Sequence, residues 1–242
     1  MVTFLKAPVG VGPGVPGSLT PRERAALATA PRREDSKRAR ALEGGAGIVL
    51  GLIPKGEGTP GPGGYDLVYG FDRYRPAAGP PVTGMTLDEV AGLQREMLRR
   101  EKLAGAPERS TAFGKYQITS DTRADIQKQM GLPGSAVATP GLQDRMGREL
   151  LNMEGFDDFL RGGKTSAQDV QANLAGRFSS FAAGPDDYSA YGKRAKKAKV
   201  RTADIQKALA DARAEHERYL QQDPYITQRI KEGYLPDVAR WR

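Results

Sequence analysis

The 242-residue chain has no cysteine and a single histidine, His216, which excludes thiol nucleophiles, Cys/His zinc sites, Ser-His-Asp triads and the two-histidine metalloprotease helix. Its formal net charge of +8 is unevenly placed: residues 1–40 hold eight Lys/Arg against three Asp/Glu, 193–242 thirteen against seven, and 41–192 sixteen against nineteen. Any proton chemistry therefore falls to carboxyl groups, with Tyr, Lys or Ser in support, and no cofactor or metal is expected.

In chain order, residues 1–40 form a Pro/Gly-rich basic arm, with a low-complexity Val/Gly/Pro stretch at 9–17 that cannot build a core. On composition the arm is either a disordered tail or a segment ordered by a partner. Its start carries one lysine and leads into Pro/Gly repeats, which is not the pattern of a signal peptide. The body, 41–192, reads as short capped helices. A first helix is predicted at 41–55, weakened by glycines at 44, 45 and 47. Its apolar stretch, 46–53, is far too short to span a bilayer, so no membrane span is expected. Weak strand signals at 65–75 suggest a small hairpin. Thr86 and Glu89 make a capping box for a helix to about 104. Thr119 or Ser120 caps a helix stopping at Gly131, and Thr139-Pro140 opens one running to about 153. Thr165 and Gln168 suggest a further capping box, for a helix to about 178. The basic extension, 193–242, carries a long helix at 202–222 and a last one from Asp223-Pro224. His216, in a run of charged residues, is expected to be a solvated surface residue. The fold class is mainly α.

Glu57 is the leading candidate for chemistry. It ends an apolar helical run and opens a glycine-rich loop, Glu57-Gly58-Thr59, followed by Gly64-Tyr65-Asp66 and the polar segment Ser110 to Gln117. Further on come Pro140-Gly-Leu-Gln143-Asp144 and Asn173-Leu174-Ala-Gly-Arg177-Phe178-Ser179. Taken in this order over residues 43–192, these motifs resemble the phage lambda endolysin family, lytic transglycosylases with a lysozyme-like fold. The chain departs from the pattern at Gly56, where related families often carry Ser, at Arg177-Phe178, where this family has tryptophan, and in an insertion at 85–108.

The resemblance implies a lysozyme-like α+β body that cleaves the β-1,4 bond between N-acetylmuramic acid and N-acetylglucosamine in peptidoglycan glycan strands. Glu57 would be the catalytic acid, kept protonated by partial desolvation. A two-carboxylate hydrolase would need Asp66 or Asp72 across the bond, whereas a transglycosylase needs Glu57 alone. Tyr65 and Asp66 either contact sugar or fix their loop. Tyr116 and Gln117 are groove-wall groups or a buried hydrogen-bonded pair. Lys115 meets the lactyl carboxylate or lies on the surface. Tyr188 and Tyr191 offer a stacking platform or a packed corner.

The two basic ends suit a virion-associated protein of a phage or phage-like particle, docked on virion or tail proteins through residues 1–40 and 193–242, the first forty running extended. Trp241, the single tryptophan, is then an anchor in a partner's pocket or a cap on the chain's own core. Such a protein resides in the virion or the host cytoplasm before release and acts on the periplasmic cell wall. The competing class is a non-catalytic virion or tail component that keeps a lysozyme-like body for wall binding or assembly. Nucleic-acid binding rests on charge alone and is not favoured.

Overall fold

The computed structural model describes residues 45–222, apart from 71, 74, 77, 78, 107, 108 and 191–195. The expectations for residues 1–40, for Tyr191, for the helix from Asp223 and for Trp241 lie outside the described residues.

The fold is mainly helical, as the capping pattern predicts. Two short helices, α1 (Ala46–Leu50) and α2 (Leu52–Glu57), replace the single helix expected at 41–55. Pro54 explains the break. Its missing N–H and its ring prevent an i→i−4 bond to the Leu50 carbonyl, so the helix restarts at Gly51 with Pro54 tolerated in the first turn. Two 3₁₀ turns, Pro62–Asp66 and Val82–Gly84, lead into α3 (Leu87–Leu103). Both halves of the Thr86/Glu89 capping box are formed there. Then come α4 (Ser120–Met130), α5 (Pro140–Met153), α6 (Phe156–Leu160), α7 (Ala167–Arg177) and α8 (Thr202–Gln222). The α4 helix stops at Gly131, whose φ of 60° is costly for a residue with a Cβ.

Three local expectations are corrected. The capping box of α7 is formed by Ser166 and Asp169, one residue beyond Thr165 and Gln168. Asp169 is a position N3 carboxylate, able to take the N-cap N–H that the sequence reading assigned to glutamine. Thr119 is the N-cap of α4, but its hydroxyl meets the Thr122 hydroxyl at 2.9 Å and makes no cap bond to the backbone. Among the described residues of 65–75 there is no hairpin. Residues 65–66 belong to a 3₁₀ turn, and the tight reversal is at 113–118, where Phe113 pairs with Ile118 and also bridges Val68. Among the described residues, β pairing is confined to isolated bridges.

The core gathers Ile53, Met97, Phe113, Ile118, Leu151, Phe156 and Phe181, all essentially sealed from solvent. Helix α8 packs on α1 and α7, while α1 also packs on α5. Gly45 shows how close the first contact is: a Cβ there would stand 2.3 Å from the Ala212 carbonyl oxygen. Val200, Ile205, Leu209 and Ala212 share the core of the 45–192 body. The described residues from Ala198 through α8 thus pack on the same core as the body. The expectation for His216 is corrected. It is 3% exposed, because it continues the 205–209–212 stripe at helical spacing and turns inward despite its charged neighbours.

Candidate functional site

Glu57 is the last residue of α2 and is half-buried. Gly58 follows in the left-handed region at φ 78°, its N–H bonded to the Pro54 carbonyl, so the chain turns sharply away just past the carboxyl group. The Ser180 hydroxyl donates to Glu57 Oε1 at 2.5 Å. Oε2 has no hydrogen-bond partner among the described residues. Ser180 is held by a β corner in which Val200 N–H bonds the Ser180 carbonyl and Ala182 N–H bonds the Val200 carbonyl. The tilted rings of Phe178 and Phe181, 5.5 Å apart, seat the corner in the core. Gly56 makes the approach possible. A Cβ at that position would stand 2.6 Å from Ser180 Oγ and 2.9 Å from Val200 Cγ2.

The loop beyond Glu57 is tied to the 112–115 segment. Buried Thr59 donates its hydroxyl to the Lys115 carbonyl at 2.7 Å. Gly114 N–H bonds the Leu67 carbonyl and Tyr69 N–H bonds the Ala112 carbonyl. Across them runs a polar network. Tyr65 and Tyr116 both donate their hydroxyls to Asp144 Oδ1, at 2.7 and 2.8 Å. Lys115 Nζ donates to the Tyr65 hydroxyl at 3.0 Å and lies 4.5 Å above the Tyr65 ring centre. Burial, then the Asp144 carboxylate, push the Tyr116 hydroxyl well above the usual tyrosine range. Burial also raises Tyr65, against the opposing pull of Lys115. Both remain protonated donors at neutral pH. Gln143 completes the frame, accepting from Lys115 N–H at 3.2 Å and donating to the Tyr65 carbonyl at 3.0 Å. A pocket of about 270 Å³ opens beside this network, lined by Gly47, Leu50, Gly51, Lys115, Tyr116 and Asp144. Glu57 is not among its lining residues.

The structure thus brings Tyr65, Lys115 and Tyr116 together and links them through Thr59 to the loop that follows Glu57. The other candidates go elsewhere. Asp66 accepts Thr83 N–H at 2.8 Å and fixes the neighbouring 3₁₀ turn. Asp72, at φ 64°, accepts Val68 N–H and faces Arg75 at 3.8 Å. Gln117, at φ 46°, folds its amide back onto the Gly114 carbonyl and closes the 113–118 reversal. Tyr188 is 41% exposed on the β corner, with Lys197 Nζ 4.4 Å above its ring. Arg177 pairs with Glu154 and donates to the Thr122 hydroxyl, tying α7 to α4.

Sequence reasoning missed Ser180; the motif it quoted ends one residue earlier, at Ser179, which is exposed. Asp144 and Gln143 stood inside a quoted motif without being recognised as members of the site. Among the described residues, no group of three or more His, Asp or Glu is placed to hold a metal ion. No helix among them is long and apolar enough to cross a membrane. Comparison with known proteins gives no matching family model, no matching curated protein and no matching solved structure.

Proposed function

We propose that this protein cleaves peptidoglycan glycan strands at the bond between N-acetylmuramic acid and N-acetylglucosamine, as a single-glutamate lytic transglycosylase of the phage lambda endolysin type. The observation that carries the reading is Glu57 itself: a half-buried carboxyl at a helix end, one oxygen held by Ser180 and the other without a partner among the described residues. With Oε1 engaged by Ser180, Oε2 is the oxygen placed to act on the glycosidic bond. Oε2 protonates the glycosidic oxygen as the bond to muramic acid C1 breaks. The resulting carboxylate then takes the proton of the C6 hydroxyl while O6 attacks C1. A 1,6-anhydro ring closes, Glu57 regains its acid form, and no water is consumed.

The positions of the other acids support the one-carboxyl route. Asp66 is engaged with the Thr83 N–H of the neighbouring 3₁₀ turn, Asp72 with the Val68 N–H of its own loop, and Asp144 with two tyrosine hydroxyls. A two-carboxylate hydrolase would need one of them free across the bond. Lys115 and Tyr65, at the half-exposed wall, offer an ammonium and a hydroxyl to the sugar chain.

Mass spectrometry of digested cell wall tests this directly. The expected products end in 1,6-anhydromuramic acid, and Glu57→Gln should lose at least 10²-fold in rate, the low end for general acid catalysis (about 10²–10⁴-fold), with unchanged circular dichroism. Reducing muramic acid ends, or wild-type clearing by Glu57→Gln, would overturn the proposal.

A further inference from the structure

The segment from Lys196 to Arg201 is a cationic edge paired with the segment that carries Ser180, the hydrogen-bond partner of Glu57. Lys196, Lys197, Lys199 and Arg201 are exposed, while Ala198 and Val200 between them are buried. Alternation of this kind is what a strand with one buried face produces. The backbone holds it on two sides: Val200 pairs with Ser180 and Ala182, while Ala198 N–H bonds the Asp187 carbonyl and Ser189 N–H bonds the Lys196 carbonyl. One of its buried side chains, Val200, also lies against Gly56, the neighbour of Glu57. The edge and the carboxyl are thus fixed by the same few residues.

Its charges are largely uncommitted. Lys197 donates to the Asp186 carbonyl and covers Tyr188, but Lys196, Lys199 and Arg201 form no ion pair with any described residue. Asp187, the nearest acid on the facing segment, accepts the Thr202 N–H at the start of α8. Tyr188 adds a 41% exposed aromatic ring to the same edge.

We infer that this edge binds the carboxylates of the peptide stems carried by the glycan strand, seating peptide-bearing strands on Glu57 in preference to bare ones. The inference rests on the glycan-cleaving reading of Glu57. A strand bearing carboxylated peptides at regular intervals presents intermittent negative charge, which spaced ammonium groups on the segment paired with Ser180 match. A polyphosphate is less well matched, because Asp186 and Asp187 stand on the facing segment and the 41–192 stretch holds more acids than bases. The coupling should be electrostatic and screened by salt.

The test uses the full chain and its Lys196→Glu/Lys199→Glu variant. The two substrates are glycan strands with peptide stems intact and strands stripped of peptide by an amidase. On peptide-bearing strands at low salt, KM of the variant should rise roughly five- to tenfold with kcat retained, as expected for reversing two exposed charges. On stripped strands the two proteins should share one KM, and added salt should bring wild-type KM on peptide-bearing strands up to the variant's. Retention of both proteins on the strands in the Glu57→Gln background gives the same comparison without cleavage. Equal KM and equal retention on peptide-bearing strands would overturn the inference. So would double-stranded DNA retention lost in the variant while strand binding is unchanged, the signature of a nucleic-acid surface. Failure of wild type to cleave either strand type would instead count against the catalytic reading, with the retention comparison still deciding this one.

Discussion

Replacing Gly56 by alanine sets two known effects against each other. Inside α2, alanine is favoured over glycine by about 1 kcal/mol. The added methyl, however, would stand 2.6 Å from Ser180 Oγ and 2.9 Å from Val200 Cγ2. Neither neighbour yields cheaply, since Val200 is β-branched and buried and Ser180 is bonded to Glu57. Overpacking of this kind costs about 1–3 kcal/mol, here near the upper end, so the net loss is about 1–2 kcal/mol. For a chain of this size the melting temperature should fall by roughly 2–8 °C. Activity should fall further. The methyl displaces the Ser180 hydroxyl that positions the neutral Glu57 carboxyl, and a hydrogen bond between neutral groups is worth about 0.5–1.5 kcal/mol, roughly two- to tenfold in rate. Thermal melts and turbidity clearing of purified cell walls measure the two effects. Adding Ser180→Gly to Gly56→Ala should restore part of the stability without restoring activity, because it relieves the clash and removes the donor. A Gly56→Ala protein that melts at or above wild type and clears walls at the wild-type rate would refute the packing argument.

Thr59→Val keeps the side-chain volume but leaves the Lys115 carbonyl without its donor, at a cost of about 1–3 kcal/mol. It should lower the melting temperature by several degrees and slow wall clearing, and unchanged clearing would show that the tie between the two segments is dispensable. Stability should also decline in acid. The carboxyls of Glu89 and Asp158, held by backbone N–H groups, of Asp169, held by the Ser166 hydroxyl, and of Glu96, held down to about 2 by Arg99 and Arg100, lie below their ordinary values. These four carboxyls therefore bind fewer protons in the folded form than in the unfolded form, while burial of Glu149 acts the other way. This stabilisation is complete above the unfolded values near 4 and lost as pH falls through the folded ones, so melting temperature at fixed ionic strength should decline between about pH 5 and pH 2. A flat profile over that range would contradict it. Tyr65 and Tyr116 act in the opposite direction: their raised values stabilise the fold below about pH 10, and that contribution should be lost as pH rises through the folded values.

Local rules decided much of the chain without help from the rest. The Thr86/Glu89 box, the proline at the start of α5 and the glycine ending α4 depend on residues within one turn, and each stands where the sequence places it. The same holds for Glu57 at a helix end before a left-handed glycine. Contacts between distant segments were not legible in this way. The choice of Ser180 over Ser179 depends on which of two adjacent hydroxyls the β corner turns inward, and that is set by pairing with Val200, twenty residues later. For Asp66 and Gln117 the sequence left a sugar contact and a structural hydrogen bond both open, because the backbone groups that engage them are brought close only by turns. His216 followed the apolar stripe of α8, yet its burial depends on α8 docking on α1, and composition favoured the solvent. A helix cap is settled by dihedral angles within a few residues. The partner of a side chain is settled by which distant surfaces pack together, because a buried polar group must find a hydrogen bond wherever the fold supplies one.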